Sequence, residues 1–314
     1  MNYKKVTGAL IPGVIGVVFV TVFVGIIGGA LHNPTPHKLP IAVVAPTPIA
    51  QQLQKGANAK FPDAIDIKQY TSASDAQQDL RNERVYGVIS PAKDGLRTTV
   101  SSASGEASKG IVTALGTAAA ANMHMKSSVT DITPQASGMG HVLVTMFLFL
   151  AVTIAAVLGQ TLLLQQKELK FAAWLGTSVL SAVLVGIGAT TTAVLLGEFS
   201  GAFWNVVAAL SVSYFAGASV LAGMQNMFGK KGFGVASLLL VPLGVATSGA
   251  IANKYFLPDF YSTIAPYMLS SATITAVRHG AYLQNAAIGS AYSVLAVWSL
   301  VGMALRFPKR HHNA

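Results

Sequence analysis

The chain has 314 residues, of which 52% are hydrophobic and only 10% are charged, and its formal net charge is +10. A soluble domain usually carries about a quarter of its residues as charged ones, so this composition excludes an ordinary soluble globular protein and indicates an integral membrane protein. The basic residues form no Lys/Arg cluster with interleaved aromatics, which argues against nucleic-acid binding. The absence of cysteine excludes disulfides and thiolate metal ligands.

Six apolar segments are long enough to cross a bilayer, which requires about 20 residues in a helix. Apart from His141 at the edge of the second segment, none contains an Asp, Glu, Lys, Arg or His side chain. The segments are residues 6–31, 141–164, 171–196, 203–223, 233–252 and 286–305. The first is longer than the apolar core of a signal peptide, about 7–15 residues, so it predicts an uncleaved anchor.

Residues 32–140 hold ten of the Lys/Arg residues and eight of the Asp/Glu residues, which predicts a small water-exposed domain between the first two spans. Strand-like segments (IAVVA, AIDIKQY, VYGVIS and LRTTVSS) alternate there with helix-like ones (Ala50–Ala59, SASDAQQDLRNER and SGEASKGIVTALGTAAAANMHM). This alternation is typical of an α/β or α+β unit. Ser74 is the predicted N-cap of the second helix.

Small residues at a spacing of four mark candidate helix-packing surfaces in the spans. Gly25 and Gly29 in the first span, and Ser213 and Gly217 in the fourth, would let helices approach closely. The partner helix could belong to the same chain or to a second copy. Pro242 is expected to kink the fifth span.

The loop between the second and third spans is the most informative of the short connections. It carries Gln166, Lys167, Glu168 and Lys170. Two interpretations stay open: a turn that is basic because of its orientation, or a docking site for a cytoplasmic partner.

The positive-inside rule sets the orientation of the spans. With a cytoplasmic N-terminus and six crossings, the cytoplasmic side receives nine basic residues against one acidic residue, Glu168. Both termini, including the basic tail 306–314, then lie in the cytoplasm, and the domain at 32–140 lies outside. Residues 255–284 would therefore not cross, but would lie at the outer interface or dip in and return. Pro266 suits this, because irregular backbone at membrane depth needs protein or water around it.

Motifs for chemistry are missing from the sequence. The stretch GMQNMFGKKG, residues 223–232, has one residue too many between its glycines for a phosphate loop, and Lys231 stands where the loop needs Ser or Thr. MHM at 123–125 could hold a soft metal, but it is more simply the end of a helix. Neither H-E-x-x-H nor G-x-S-x-G occurs. We therefore expect no catalytic residue, no metal site and no cofactor.

One span, an outer domain and five further spans form a layout similar to the type-2 permease subunits of ABC exporters, especially the phage-infection-protein-like branch of bacterial membrane proteins. The stretches KLPIAVVAPTP, YTSASDAQQDLRNERVYGVISP and LPDFYSTIAPYMLSSATITAVRHGAYL carry the resemblance. It implies a homodimer or heterodimer in the bacterial cell membrane, among its lipids, working with a separate cytoplasmic ATP-binding subunit. The exported cargo would be amphipathic or lipid-linked.

The resemblance also implies roles for two parts of the chain. The loop with Gln166, Lys167, Glu168 and Lys170 would receive the movement of the ATPase. The outer segment with Pro266, Arg278 and His279 would help to close the exit.

Other functions remain as alternatives. The chain could be a non-transporting scaffold or receptor whose extracytoplasmic domain binds a partner or ligand. A secondary transporter is disfavoured, because no span carries an ionisable group well inside it, as proton relays do. A membrane hydrolase is the weakest alternative.

Overall fold

The computed structural model describes residues 3–32, 34–60, 62–134, 140–166, 169–199 and 201–307. The chain begins with a long helix, α1, at Tyr3–Leu31. The last part of α1 packs on the rest of the protein: Ile27 contacts a buried cluster around Phe149 and Val245. The apolar residues from Val17 to Val24 lie largely exposed on the described part of this helix.

A five-stranded mixed sheet follows α1. Its strands have the spatial order β2-β1-β3-β4-β5, and all neighbouring pairs are parallel except β3 and β4. The strands are β1 Leu39–Val44, β2 Ile65–Tyr70, β3 Val88–Ala92, β4 Gly95–Val100 and β5 Lys126–Asp131, and the helices between them are α2 Thr47–Lys60, α3 Ala73–Arg81 and α4 Glu106–Asn122. We call residues 34–134 the α/β domain.

The sequence predicts four of these strands but not β5. That strand reads KSSVTD and its side chains are almost all exposed, so it lacks the alternation that marks a half-buried strand. It forms because its backbone pairs with β4 at the edge of the sheet. The predicted N-cap of α3 was also wrong. Ser72, in extended conformation, caps the helix by accepting from the Asp75 N–H at 3.4 Å, whereas Ser74 lies in the first turn.

The helices after the α/β domain are long and apolar. They are α5 Gly140–Leu163, α6 Phe171–Leu195, α7 Phe203–Leu238, a π-helical turn Leu239–Leu243, α8 Gly244–Thr247 and α11 Ile288–Arg306. In the part of the chain that the structure describes, four continuous helical segments could span a membrane: Gly140–Leu163, Phe171–Leu195, Phe203–Thr247 and Ile288–Arg306. Their outward faces carry exposed large apolar side chains, such as Leu158, Leu184 and Leu300.

The segment Phe203–Thr247 is a helical hairpin. Gly229 interrupts it with φ 65° and ψ −152°, a left-handed φ that glycine adopts without strain. The chain reverses direction there. The two arms lie side by side, since a Cβ placed on Gly217 of the first arm would lie 3.9 Å from Leu240 of the second. The two arms correspond to the predicted segments 203–223 and 233–252. Pro242 lies in the π-helical turn, where a missing N–H disrupts the helix, and the second arm ends at Thr247, before the predicted boundary.

Short helices connect the hairpin to α11. They are the 3₁₀ turn Lys254–Phe256, α9 Asp259–Ile264, the 3₁₀ turn Ala265–Tyr267 and α10 Leu269–Ala281. At 13 residues, α10 is about 20 Å long, less than the roughly 30 Å of a bilayer core. It packs on α7 and α11 through residues such as Ala272 and Ala276.

The helical bundle has two different ends. At one end, the Phe171 and Phe307 rings stack at 4.8 Å and the Asn226 amide donates to the Leu305 carbonyl at 3.0 Å. This basic end carries Lys170, Lys230, Lys231 and Arg306. At the opposite end, the α/β domain shares one buried apolar cluster with the 246–265 region: Leu39 and Ile41 of β1 join Phe256 and Leu257.

Candidate functional site

The α/β domain and α10 are joined by a buried ionic cluster. Glu83 lies in the turn after α3, with a left-handed φ of 54° that is uncommon for residues other than glycine. Its carboxylate accepts from Arg278 Nη1 at 2.8 Å and lies 3.1 Å from His279 Nε2. The exposed fractions are 4% for Arg278, 1% for His279 and 11% for the Glu83 side chain. A buried charge is costly unless it is paired, so each of these groups depends on the others.

Arg278 and His279 each have a second polar partner besides Glu83. His279 Nδ1 contacts the Ala286 carbonyl and its Nε2 faces the Glu83 carboxylate. Both ring nitrogens of His279 therefore have a polar partner. Arg278 Nη2 also donates to the Gly249 carbonyl at 3.0 Å. The cluster therefore pairs the guanidinium of Arg278 with the carboxylate of Glu83, and His279 contacts the same carboxylate.

The environment of Glu83 keeps its carboxylate ionised. Burial alone would raise the pKa of Glu83, but the positive charge of Arg278, the hydrogen bond and charge of His279 and the hydrogen bond from Arg278 outweigh burial. The pKa of Glu83 is therefore held well below its usual range. The ion pair between Glu83 and Arg278 therefore persists at any pH near neutrality.

A pocket of about 300 Å³ opens beside the cluster. Pro266, Arg278 and His279, the three residues predicted for the outer segment, all line it, together with Glu83. The structure thus brings the three predicted residues together around one space. Sequence reasoning missed Glu83, because 195 residues separate it from Arg278 and nothing in the local sequence indicates that pairing.

A second buried carboxylate holds the other side of α10. Glu198, in the loop after α6, lies 3.1 Å from His141 Nδ1 and accepts from the Tyr282 hydroxyl at 2.8 Å. The His141 and Tyr282 rings also lie 4.0 Å apart. Burial, followed by the hydrogen bond to Glu198 and its charge, raises the pKa of Tyr282 well above its usual value. The end of α10 is therefore held between two carboxylates from separate parts of the chain.

The predicted coupling loop lies at the basic end, far along the bundle from the pocket. Gln166 and Lys170 are exposed there, and Lys170 immediately precedes α6. Lys167 and Glu168 lie outside the described residues. Nothing in the described structure covers Gln166 or Lys170, so both remain accessible to a partner.

The predicted packing residues have different environments. A Cβ on Gly29 would lie 3.3 Å from the Tyr261 hydroxyl, which donates to the Ile26 carbonyl, whereas Gly25 has nothing within 4 Å. Gly217 faces α5 and the returning arm of the hairpin, and Ser213 bonds within its own helix to the Ala209 carbonyl. Three of these four positions thus face neighbours in their own chain or their own helix.

Among the described residues, no group of three or more His, Asp or Glu side chains is placed to hold a metal ion. The arrangement offers ion pairing and a polar pocket at the junction between the α/β domain and the helices. Nothing in its geometry presents an activated nucleophile.

Apolar helices with exposed apolar faces, joined to an inserted α/β domain, define a multi-pass α-helical membrane protein. Comparison of the sequence with known families gives the particular class. The family described as ABC-2 family transporter protein matches residues 13–305. The chain therefore belongs to this family and is an ABC transporter permease, which confirms the resemblance to type-2 permeases. No curated protein and no solved structure matched the chain.

Proposed function

We propose that this permease is the membrane subunit of an exporter, driven by a separate cytoplasmic ATP-binding subunit, that moves an amphipathic or lipid-linked compound across a bacterial cell membrane. The observation that carries the proposal is the two-ended bundle. One end has exposed basic loops, and the other has the α/β domain, the pocket and the buried ionic cluster. ATPase movement would enter at the first end and would change the closure of the second.

The proposed topology has six crossings with both termini in the cytoplasm. Helix α1, α5, α6, the two arms of the hairpin and α11 supply the crossings. This places the basic end inside, as the positive-inside rule requires, and the α/β domain outside. Helix α10 is too short to cross, which keeps the number of crossings even. The described part of α1 has a largely exposed apolar surface, which lipid or a second subunit of a homodimer or heterodimer would cover.

In this mechanism the chain performs no chemistry on its cargo. Lys170 and Gln166, with Lys167 and Glu168, would contact the ATPase. The bundle would transmit the movement to α10, whose end is held by Glu83 and Glu198. Release of α10 from the α/β domain would open the route beside Pro266, and restoration of the Glu83 pairing would close it.

Co-purification tests the partner. The tagged protein, extracted in mild detergent, is expected to bring along a cytoplasmic ATP-binding protein in stoichiometric amount. Lys170→Glu should abolish this, because it reverses the charge at an exposed position. The variant should still fold, since an acidic residue at a helix N-terminus is favourable. Lys93→Glu, an exposed lysine in the turn between β3 and β4, is the matched control and should keep the partner.

Two outcomes would contradict the proposal. Co-purification without any ATP-binding protein would favour the scaffold or receptor function instead. If both variants retained the partner equally, the loop would not be part of the contact with the ATP-binding protein. The topology is tested separately by single cysteines at positions 284 and 312 in this cysteine-free chain. An impermeant thiol reagent should label 284 but not 312 in intact cells, and labelling at 312 would exclude the six-crossing arrangement.

A further inference from the structure

The pocket beside Glu83 has an excess of positive charge. Among the described residues that line it, Glu83 is the only acid, Arg278 and Lys254 are cations, and the His279 ring lies beside them. Lys254 is exposed and lies 5.1 Å from the centre of the Tyr255 ring. A pocket with two cationic groups and one carboxylate attracts anions, and buried charges strengthen this attraction because water screens them less.

Neutral hydrogen-bond donors extend the cationic part along one face of α10. Ser271, Thr275 and His279 follow each other at intervals of four residues, which places them in a row on the same side of a helix. All three line the pocket. Hydroxyl donors next to an arginine are the groups that bind phosphate or carboxylate oxygens.

The lining of the pocket also includes apolar residues. Ala272 of α10 and Ala291 and Val294 of α11 line it, with Pro266 contributed by the preceding turn. Helix α11 has exposed apolar side chains further along, including Val297 and Leu300. The volume of about 300 Å³ suits a polar headgroup rather than a whole lipid. An apolar chain attached to the headgroup would leave along α11.

We infer that this pocket binds the anionic headgroup, a phosphate or carboxylate, of an amphipathic molecule, and that this headgroup competes with the Glu83 carboxylate for Arg278 and His279. Glu83 lies in a turn outside the helices and strands, where its backbone N–H donates to the Leu80 carbonyl at 3.1 Å. Its carboxylate, in contrast, meets α10 only through the side chains of Arg278 and His279, and these are the contacts that an anion would replace. When the headgroup replaces it, the link between the α/β domain and α10 is broken. Binding of the molecule and release of α10 are therefore one event.

This inference rests on the proposed export function in treating the molecule as cargo, but its test needs neither ATP nor the ATPase. The full chain, purified in uncharged detergent, is titrated with dihexanoyl phosphatidic acid, and binding is followed by calorimetry. Dihexanoylglycerol tests the need for the anion, and inorganic phosphate tests the need for the apolar part. The first probe should bind, and the other two should bind at least tenfold more weakly.

Variants test the competition. Glu83→Gln removes the competing carboxylate and should tighten binding of dihexanoyl phosphatidic acid by at least tenfold. Adding Arg278→Gln should abolish that gain. Thr275→Leu places an apolar side chain in the donor row while keeping the Glu83 pairing, so it should weaken binding even if the Glu83 variant does not fold. Thr263→Leu, an exposed threonine of α9 outside the pocket, should leave binding unchanged.

Equal binding by the wild type, Glu83→Gln and Thr275→Leu would overturn the inference. Equal affinity for inorganic phosphate would assign the site to a soluble anion and would overturn its amphipathic part. If the protein failed to bind dihexanoyl phosphatidic acid but still co-purified with an ATPase, only the proposed site would be refuted. If it bound dihexanoyl phosphatidic acid but no ATPase co-purified, only the exporter function would be refuted.

Discussion

Replacing Glu83 with glutamine should loosen the junction between the α/β domain and α10. The change leaves the guanidinium of Arg278, which is 4% exposed, without a compensating charge. Removing one partner of a buried ion pair costs about 3–5 kcal/mol. Since 1.36 kcal/mol corresponds to a factor of ten, the open state of the junction should become about two to four orders of magnitude more populated.

Thiol labelling measures this population directly. The protein has no cysteine, so a single one at Ala252 reports only on the junction. Ala252 is buried in the cluster shared by the α/β domain and the membrane helices, next to Asn253, whose amide donates to Ser108 of α4 at 2.7 Å. When opening is fast and reversible, the labelling rate is proportional to the open population. The Glu83 variant should therefore label about 100-fold faster or more.

A neighbouring exposed ion pair provides the control. Arg84 contacts Asp79 at 3.1 Å, but its side chain is 68% exposed, and such pairs contribute only about 0–1 kcal/mol. Arg84→Gln should change the labelling rate by less than tenfold. If the Glu83 variant labelled no faster than this control, the buried cluster would not be what holds the domain on α10.

The pH dependence follows from the depressed pKa of Glu83. The stabilisation by Glu83 should be fully present above the ordinary glutamate pKa of about 4.3 and should be lost as pH falls towards the lower pKa of the folded protein. Its contribution to protection at position 252 should therefore be constant between about pH 5 and 8. A weakening within that range would mean that another group controls the junction.

Two further predictions concern other parts of the chain. A Cβ on Gly302 would overlap the backbone of Ser219 where α11 crosses α7, so Gly302→Ala should destabilise the bundle by about 1–3 kcal/mol in a denaturant titration. Gly289→Ala is the control and should not destabilise it, because a Cβ there has nothing within 4 Å. Equal effects of the two substitutions would mean that the crossing adjusts freely. Burial, then the hydrogen bond to Asp79, raises the pKa of Tyr70 to about 12. The phenolate absorbance of Tyr70, measured as the difference between the wild type and Tyr70→Phe, should therefore appear about two pH units above that of free tyrosine. The stabilisation from this contact should be present below about pH 10 and lost as pH rises through about 12. Titration of this phenol near pH 10 would contradict the contact.

Much of the fold can be predicted from the sequence, because its strongest signals are local. The lengths of the apolar segments predict the long helices. Short apolar runs and an alternating pattern predict β1 to β4. The polar strand β5 escapes prediction because its pairing with β4 depends on the backbone and not on its side chains.

Only some residues of the site can be predicted, because the sequence signals that mark a residue are local. Pro266, Arg278 and His279 attract attention in the sequence because they interrupt an apolar stretch, and polar groups near membrane depth are usually functional. Glu83 carries no such mark, since it is one of several acids in a polar domain. Glu198 likewise resembles an ordinary loop residue until the structure places it against His141 and Tyr282.

The sequence by itself determined that this protein is a membrane protein with apolar helices and an inserted α/β domain, because composition and periodicity are properties of short stretches of chain. Only the tertiary structure decided which carboxylate meets Arg278 and His279, and that a pocket lies beside them. Ion pairs and pockets form between residues that are distant along the chain, so their partners are set by how the domain packs on the helices. That packing depends on the whole buried cluster at the junction and cannot be read from any one segment.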